Sequence, residues 1–289
     1  MDSTAEFERY RPLLLGLAYR LLGSMWDAED VVQEAWLRWE RTDRGAVREP
    51  RAYLTTVVSR LALDQLRSAR VTREAYPGPW LPEPVPTDEL GPLDTAELKD
   101  TVAYATMHLL ERLTPPERAV FVLREAFQLA HEEIARTVGV SPANARQLYR
   151  RAQQRLAGGA ERFQLSAKEH ERLVTRFLDA ARGGDLDALT RLLSDDVVAW
   201  NDGGGKIRAA LRPVVGRANV TAFLRGLVTR YPLTNGRVID VNGAPALSIS
   251  VAGSYRVVVL DAHEGRIRGI FAVLNPDKLG RVCAGAGDA

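Results

Sequence analysis

The sequence predicts a multidomain protein in which two all-α helical domains are followed by one α+β domain. Its 289 residues exceed the roughly 100–200 of a typical domain, so the length alone favours two or three domains. Apolar residues recur at helical spacing as far as Gly158 and Gly159. Beyond that point, short alternating segments separated by Gly, Pro or Asn predict strands.

We expect the helical domains to be separated by a proline-rich linker. Residues 71–96 contain six prolines and two glycines, which exclude a helix, and their acidic residues favour a solvated, extended chain. Tyr76, Trp80 and Leu81 are nevertheless large apolar groups that a passive linker does not need. The expected division of the chain is 1–70, 71–96, 97–160 and 161–289.

Apolar side chains at helical spacing predict three helices in the first domain, over 5–23, 27–40 and 51–69. Asp27 is a suitable N-cap for the second of these helices. Glu29 follows in the first turn, where a carboxylate complements the helix dipole.

The second domain is expected to hold helices over 97–113, 116–127, 131–138 and 142–157. The last two have the spacing of a helix-turn-helix, in which Gly139 permits the turn, Ser141 caps the second helix and Pro142 takes its first position. This second helix has arginines and no acidic residue, which suits it to DNA, although a hairpin with a solvated basic face is the alternative. The candidate contacts are Asn144, Arg146 and Gln147 for base edges, and Arg150 and Arg151 for phosphates.

The third domain is predicted to begin with helices over 168–182 and 185–193 and to continue as a run of antiparallel strands. The candidate strands are 196–202, 207–215, 236–243, 246–253, 254–263 and 266–275. Groups for acid–base catalysis exist, but no spacing among them stands out, so we expect no enzymatic activity. They are Asp195, Asp196, Asp202, Asp240, Asp261, Tyr231, Tyr255 and His263.

Composition excludes several classes of protein. Hydrophobic residues make up 46% and charged residues 26%, which excludes wholesale disorder. The lone Cys283 cannot form an intramolecular disulfide, and we find neither a long apolar run nor a signal peptide, so we expect a cytoplasmic protein without a membrane partner. His131 has no second His at metal-binding spacing, and we expect no metal and no cofactor. A net charge of +2 does not by itself predict a nucleic-acid partner.

Residues of the first two domains carry a family resemblance. FERYRPLLLGLAYRLLGSMWDAEDVVQEAWLRWER resembles region two of bacterial sigma factors of the extracytoplasmic-function type, and PRAYLTTVVSRLALDQLRSAR resembles the family helix that meets the −10 element. LTPPERAVFVLREAFQLAHEEIARTVGVSPANARQLYRRAQQRL resembles region four, which reads the −35 element. The resemblance implies a factor that directs RNA polymerase to promoter DNA.

The same resemblance implies two partners and the residues that meet them. Region two would dock on the β′ clamp helices of core RNA polymerase, and region four on the β flap. The implied core-binding residues are Asp27, Glu29, Asp30, Gln33 and Glu34, although a solvated acidic face is the alternative. The promoter single strand would follow Arg41, Arg44, Arg48, Arg51, Tyr53, Arg60 and Arg67.

The remaining signatures are similar to a sigma subgroup with a fused SnoaL-like domain, which implies a cone-shaped α+β fold with a curved antiparallel sheet. They are YPGPWLPEP in the linker, DGGGK at 202–206 and NPDKL at 275–279. We expect these segments to form one regulatory contact through Trp80, Leu81, Asp202, Lys206, Asn275, Asp277 and Lys278. Because the regulatory domain is fused, we expect no zinc-type anti-sigma factor.

Two other functions remain open from the sequence. One is a ligand-responsive helix-turn-helix regulator that works without sigma function. The other is a SnoaL-like isomerase or cyclase with a DNA-binding appendage.

Overall fold

The computed structural model describes residues 3–90, 101–157, 166–231, 233, 235–251 and 253–284. The chain divides into two compact units. Both helical regions belong to the first unit, whereas Ala75–Thr87, the middle of the proline-rich segment, groups with the C-terminal part. The first unit comprises Met1–Glu74 and Asp88–Gly159, and the second Ala75–Thr87 and Ala160–Ala289. The four-part division proposed from the sequence stays a prediction.

The first unit begins with three helices that pack against one another, α1 (Ser3–Leu22), α2 (Met25–Glu40) and α3 (Pro50–Glu74). Helix α2 begins two residues before Asp27, and its N-cap is Ser24, whose Oγ accepts a hydrogen bond of 3.3 Å from the Asp27 backbone N–H. The prediction that Asp27 caps this helix is therefore wrong. A serine before Met25 caps equally well and lets Met25 enter the core.

Helix α3 continues to Glu74, beyond the predicted end at residue 69 and into the predicted linker. No helix breaker occurs before Pro77, so the backbone continues its hydrogen bonding until the proline approaches. The side chain of Arg73, in this added turn, donates hydrogen bonds to Glu111 and to the Leu22 carbonyl. Tertiary contacts thus stabilise the extension.

Four shorter helices complete the described part of the first unit: α4 (Tyr104–Leu110), α5 (Pro115–Glu125), α6 (His131–Val138) and α7 (Pro142–Leu156). Helices α6 and α7 form the predicted helix-turn-helix. Gly139 has a φ of 78°, which ends α6 in the left-handed region. Ser141 Oγ accepts a hydrogen bond of 3.2 Å from the Asn144 backbone N–H. Of the predicted helix 97–113, residues 97–100 lie outside the described residues.

The second unit combines helices with a six-stranded sheet in the order β2-β1-β6-β5-β4-β3. Its helices are α8 (Ala167–Arg182), α9 (Leu186–Leu192), α10 (Arg217–Arg230) and α11 (Gly280–Ala284). Its strands are β1 (Leu193–Asp202), β2 (Val214–Val215), β3 (Asn235–Val241), β4 (Ala244–Val251), β5 (Ser254–His263) and β6 (Arg266–Val273). The core lies between one sheet face and helices α8, α9 and α10.

The α+β class is confirmed, with one correction to the strand directions. Strands β1 and β6 are parallel, whereas the other pairings are antiparallel. Strands β3 to β6 are joined by hairpins, so each runs antiparallel to the one before it. Strand β6 then lies beside β1 and runs in the same direction as β1. The pairing aligns Trp200 with Phe271, whose rings stack 4.9 Å apart.

The segment between β1 and β3 also differs from the prediction. The expected strand over 207–215 is reduced to β2, because Pro213 cannot donate to a strand ladder. Helix α10 follows and was not predicted, since its β-branched residues and Gly226 weaken the helical signal. Burial of Val220 and Leu224 in the core accounts for this helix.

Residues 81–85 of the proline-rich segment are buried and not solvated as expected. Leu81 and Val85 are fully buried, and Glu83 is 1% exposed, 3.6 Å from Arg281. The Val85 backbone N–H donates a hydrogen bond of 3.1 Å to Asn242 Oδ1. The Val85 carbonyl accepts one of 2.9 Å from the Asn242 backbone N–H. The expectation of a solvated linker is therefore wrong for these residues, whose acidic side chain has an arginine close by.

Within the described ranges, we find no helix whose length and apolar character would let it cross a membrane.

Candidate functional sites

The acidic residues of α2 do not all lie on one open face. Asp30, Gln33 and Glu34 are exposed, whereas Asp27 and Glu29 are half-buried. Gln65 Nε2 donates a hydrogen bond of 2.9 Å to Asp27 Oδ1, which holds that carboxylate against α3. Only part of the predicted core-binding set is therefore open to a macromolecular partner.

Two apolar side chains flank this acidic stripe and were not predicted. Trp26 is 56% exposed and Leu37 is 43% exposed. They lie four residues before Asp30 and three after Glu34, so helical spacing places them on the same face. Exposed large apolar groups rimmed by polar residues mark interaction sites, and their position in the helical register was the signal in the sequence. A stripe of Trp26, Asp30, Gln33, Glu34 and Leu37 results, called the α2 stripe below.

The loop after α2 and the start of α3 carry an open cluster of arginines. Arg41, Arg48 and Arg51 are exposed. Arg44 lies in a short 3₁₀ helix, Arg44–Ala46, and its side chain lies outside the described residues. Arg67 is exposed on α3 and pairs with Asp64 at 3.1 Å.

The side chain of Tyr53 is fixed by two neighbours. Its hydroxyl lies 3.0 Å from Thr42 Oγ1, and its ring packs against Trp39 with 5.9 Å between centroids. The side chain is half-buried, so part of the ring surface remains available for stacking.

Arg60 is exposed and also contacts α6. Its guanidinium donates 3.1 Å to the Thr137 carbonyl and 2.9 Å to the Arg136 carbonyl, at the C-terminal end of α6. These carbonyls carry the negative end of the helix dipole, which favours a cation. A cleft of about 680 Å³ lies beside this contact. It is lined by Arg51, Tyr53 and Arg60 of α3, by Glu133 and Arg136 of α6, and by Phe127 in the loop before α6.

The candidate DNA-reading residues of α7 are all exposed: Asn144, Arg146, Gln147, Arg150 and Arg151. Arg146 pairs with Glu132 at 2.6 Å, and Arg151 lies 3.5 Å from the buried carboxylate of Glu117. Arg155, which the sequence analysis did not select, is 2.5 Å from Glu117.

Helix α7 is fixed against α5 by Tyr149. Its hydroxyl donates a hydrogen bond of 2.5 Å to Glu125 Oε1. Burial, and then this hydrogen bond, raises the pKa of Tyr149 to about 12. This hydrogen bond ties α7 to α5.

A buried carboxylate organises the third candidate site, in the second unit. Asp202 is 0% exposed and lies at the end of β1. Its Oδ1 accepts hydrogen bonds from Tyr76 Oη at 2.5 Å and from the Gly204 amide at 3.1 Å. Its Oδ2 accepts from the Leu81 amide at 3.0 Å and from Lys278 Nζ at 2.7 Å. Four donors from three separate segments therefore satisfy one buried anion.

Lys278 completes this cluster from the C-terminal side. Its Nζ also donates 2.6 Å to the Leu81 carbonyl and lies 3.2 Å from the centroid of the Trp80 ring. A desolvated ammonium over an indole face is a strong form of the cation–π interaction. The structure thus brings together Trp80, Leu81, Asp202 and Lys278, which the sequence analysis had selected.

Tyr76 and Asn275 join the two sides of the cluster. Asn275 Nδ2 donates 2.9 Å to Tyr76 Oη, whose own proton goes to Asp202. Burial, followed by the hydrogen bond to Asp202, raises the pKa of Tyr76 well above its usual range. From the sequence, Tyr76 was expected only as a large apolar group. The six residues Tyr76, Trp80, Leu81, Asp202, Asn275 and Lys278 are called the Asp202 cluster below.

The glycines after Asp202 allow the segments to approach closely. Gly204 has a φ of 59°, and a Cβ atom there would lie 2.4 Å from the Asn275 amide group. Lys206 and Asp277 pair at 2.7 Å but are 55% and 61% exposed, so this selected pair lies outside the buried cluster.

Three of the candidate catalytic groups, Asp195, Asp196 and His263, line one cleft together with Arg217 and Arg268, whereas Asp240 and Tyr255 do not. Asp195 and Asp196 are exposed and pair with Arg217 at 2.9 Å and with Arg268 at 3.1 Å. Asp240 and Tyr255 are also exposed. Among the described residues, no group of three or more His, Cys, Asp or Glu side chains is arranged to hold a metal ion.

Three family models match the chain. Sigma-70 region 2 matches residues 7–72, Sigma-70 region 4 matches 104–156, and a SnoaL-like domain matches 174–270. The fold and these matches define the class, a sigma-70-type initiation factor with a fused SnoaL-like domain.

Relatives that span nearly the whole chain narrow this class. The chain is 41% identical to the ECF RNA polymerase sigma factor SigJ of Mycobacterium tuberculosis, over 95% of this chain and 92% of that protein. It is 33% identical to the probable ECF RNA polymerase sigma factor SigI of the same species, over 96% and 94%. The SigJ crystal structure matches with a TM-score of 0.77 and 38% identity, covering 96% of this chain and 98% of that chain.

The chain therefore belongs to the extracytoplasmic-function RNA polymerase sigma factors, and the resemblance found in its motifs is confirmed. Promoter-directed transcription initiation, the main function predicted, is confirmed with it. Neither alternative, the polymerase-independent regulator or the enzyme with a DNA-binding appendage, is supported by these relatives.

Proposed function

We propose that the α2 stripe is the docking surface for the β′ clamp helices of core RNA polymerase. The observation that carries this role is the combination of exposed Asp30 and Glu34 with exposed Trp26 and Leu37 on one helix face. Carboxylates would steer the association with basic partner residues, and the two apolar groups would anchor it. Region four would contact the β flap.

We propose two kinds of promoter contact for the first unit. Arg146, with its neighbours Asn144 and Gln147, reads base edges of the −35 element from the N-terminal part of α7, and Arg150 and Arg151 hold phosphates. The single strand of the −10 element follows Arg41, Arg44, Arg48, Arg51, Tyr53, Arg60 and Arg67. Each of these arginines whose side chain the structure describes is exposed, which supports this assignment.

We propose that the second unit modulates initiation without catalysing a reaction. The supporting observation is the Asp202 cluster, which joins the segment between the two sigma regions to the C-terminal domain. This segment connects the two DNA-reading regions, so its attachment controls how freely they reach two promoter elements together. Lys206 and Asp277 would support the contact at its exposed edge.

Fusion of the regulatory domain argues that the factor acts without a zinc-type anti-sigma partner. Its place of action would be the cytoplasm, with RNA polymerase. We infer no cofactor requirement, because Asp195 and Asp196 pair with surface arginines, Asp240 and Tyr255 lie exposed, and both oxygens of Asp202 are engaged within the Asp202 cluster.

Run-off transcription with purified core polymerase tests the function and its modulation together. The full chain should transcribe from a cognate promoter, and core polymerase alone should not. Trp80→Ala should alter promoter-dependent transcription, whereas Trp26→Ala should weaken binding to core polymerase first. If neither the full chain nor its variants direct transcription, the proposed function fails. If Trp80→Ala transcribes like the full chain, only the modulating role fails.

A further inference from the structure

We propose that Arg151, Glu117 and Arg155 form one preorganised binding site for a backbone phosphate of duplex promoter DNA. Arg155 is then a further DNA-binding residue, and Glu117 is a positioning residue that acts through the two arginines. The proposal deepens the proposed function and rests on it, because it requires α7 to be the helix that meets the −35 element. The three residues are called the Glu117 triad below.

The centre of the triad is a buried carboxylate in the first turn of α5. Glu117 is 2% exposed, and its Oε2 accepts a hydrogen bond of 3.0 Å from the Thr114 backbone N–H. The same oxygen accepts a hydrogen bond of 2.5 Å from Arg155 Nη1. Arg151 Nε lies 3.5 Å from the other oxygen, Oε1. Both oxygens of this carboxylate therefore face a guanidinium of α7.

The charges of the triad do not cancel. Two guanidiniums share one carboxylate, so one positive charge is left over. The side chains of Arg151 and Arg155 are 48% and 46% exposed, whereas their shared counter-ion is buried. An anion that approaches from solvent therefore meets the arginines before the carboxylate. Each phosphate of the DNA backbone carries the single negative charge that would balance the site.

The two arginines are neighbours on the surface of α7. They are four residues apart, so they lie on the same side of the helix and one turn from each other. Among the residues that the structure describes, neither guanidinium has a second ion-pair partner. Other N–H groups of both side chains are thus left to donate to phosphate oxygens.

A buried carboxylate that holds both arginines lowers the cost of binding a phosphate. An arginine side chain loses rotamer freedom when it binds, and this loss is smaller if the side chain is already fixed. Glu117 is itself fixed by its capping bond to the Thr114 backbone N–H. The packing of α5 against α7 therefore sets the position of two cations before DNA binds.

Arg155→Ala tests the new DNA contact. The full chain is assembled with core polymerase and titrated with fluorescent duplexes that carry the cognate −35 sequence or a scrambled one. Affinity for both duplexes should fall by roughly threefold to tenfold at low salt. The slope of log affinity against log salt should become shallower by about 0.9, which corresponds to the loss of one phosphate contact. Arg172→Ala makes the same change in net charge at an exposed site of α8 and should leave both quantities unchanged.

Glu117→Gln tests the positioning role, because charge alone and positioning predict effects of opposite sign. The amide oxygen can still accept from the Thr114 backbone N–H, and the arginines stay solvated, so the variant should fold, which urea unfolding checks. Loss of a negative charge near DNA would by itself strengthen binding. We expect binding to both duplexes to weaken by about threefold, because the arginines lose their fixed position.

A double-variant cycle measures whether Glu117 acts through Arg155. In the Arg155→Ala background, Glu117→Gln should no longer weaken DNA binding, because the side chain that it positions is gone. A role of Glu117 in the fold alone would give the same loss of affinity in both backgrounds.

Two outcomes would overturn the triad alone. One is that Arg150→Ala weakens binding to both duplexes whereas Arg155→Ala does not. The other is that the Glu117→Gln variant binds the duplexes as tightly as the unaltered chain, or more tightly. If Arg146→Ala, Arg150→Ala and Arg155→Ala all leave binding unchanged, α7 is not the helix that reads DNA, and the proposed −35 contact fails together with the triad.

Discussion

At the scale of single residues, Asp202 is a buried carboxylate of the second unit whose partners are all supplied by the protein. Both of its oxygens are fully engaged, and its charge is balanced by Lys278 at 2.7 Å in a site where both side chains are at least 92% buried. Removing one member of a buried ion pair leaves the other charge without compensation, which costs more than the pair contributes.

Asp202→Asn should lower the free energy of unfolding of the second unit by roughly 3–5 kcal/mol. The amide keeps the shape of the carboxylate but leaves the Lys278 ammonium buried without its counter-ion. Urea unfolding monitored by tryptophan fluorescence measures the change, because Trp80 lies against Lys278. The matched control is Asp277→Asn, which removes an exposed pair with Lys206 and should change stability by less than about 1 kcal/mol. Equal effects of the two substitutions would contradict the importance of burial.

Arginines of α7 should differ in what they recognise. Arg146→Ala should cost about 1–3 kcal/mol of binding at the cognate −35 sequence and little at unrelated sequences. Arg150→Ala should instead weaken binding to all sequences and reduce its salt dependence, as loss of a phosphate contact does. Fluorescence anisotropy against cognate and scrambled duplexes at several salt concentrations distinguishes the two.

Arg151→Ala provides a comparison within the phosphate pair, because Arg151 is already near the Glu117 carboxylate. We expect its effect to have the same sign as that of Arg150→Ala. Identical behaviour of all three variants at every sequence would contradict the division between base and phosphate contacts.

At the scale of elements, α2 combines a buried face and an open face in sixteen residues. Met25, Ala28, Val31, Val32, Ala35 and Trp39 enter the core. The opposite α2 stripe has polar and apolar groups that no core contact requires. An element whose exposed face keeps large apolar groups is typical of a docking surface.

Charge reversal on the α2 stripe should weaken core binding without loss of folding. Asp30→Lys combined with Glu34→Lys should lower the affinity for core polymerase at least about tenfold at low salt, because attraction becomes repulsion. Thermal unfolding should change little, since both side chains are exposed. Glu171→Lys with Asp187→Lys makes the same change in net charge on exposed sites of the second unit and should leave core affinity unchanged. An equal loss in the two double variants would mean that net charge alone is responsible.

At the scale of the whole molecule, residues 81–85 of the proline-rich segment are packed into the second unit. Leu81 and Val85 are fully buried, and the Val85 amide bonds to Asn242 at the β3–β4 turn. Segments with buried apolar groups and satisfied backbone donors open only with the unit to which they are attached.

Hydrogen exchange followed by mass spectrometry should therefore find peptides covering 81–85 protected to nearly the same degree as β4 and β5. Lys278→Met should reduce this protection, because it removes the hydrogen bond to the Leu81 carbonyl and the charge opposite Asp202. Arg281 approaches Glu83 and stays in this variant, so some protection should remain. Exchange in the unaltered chain at the rate of an unstructured peptide would contradict the assignment.

Local signals in the sequence were sufficient for much of the fold. The helix-turn-helix follows from Gly139, Ser141 and Pro142, whose conformational preferences act within one or two turns. Periodicity predicted the helices of the first unit and most strands of the second. It missed α10, because β-branched residues and Gly226 lower the intrinsic preference that burial of Val220 and Leu224 overrides.

The sequence by itself determined the class of the protein. Caps and periodicity act locally and predicted its helices and strands, and the motifs identified its family. Only the tertiary structure decided that β6 lies parallel to β1, that Arg60 is engaged by α6, and that Tyr76 donates to Asp202 across 126 positions of chain. The physical reason is that a buried polar group requires a partner wherever the chain supplies one. For Asp202, those partners come from segments up to 126 residues away, and for Lys278 the Leu81 carbonyl is 197 residues away, distances over which no local preference operates.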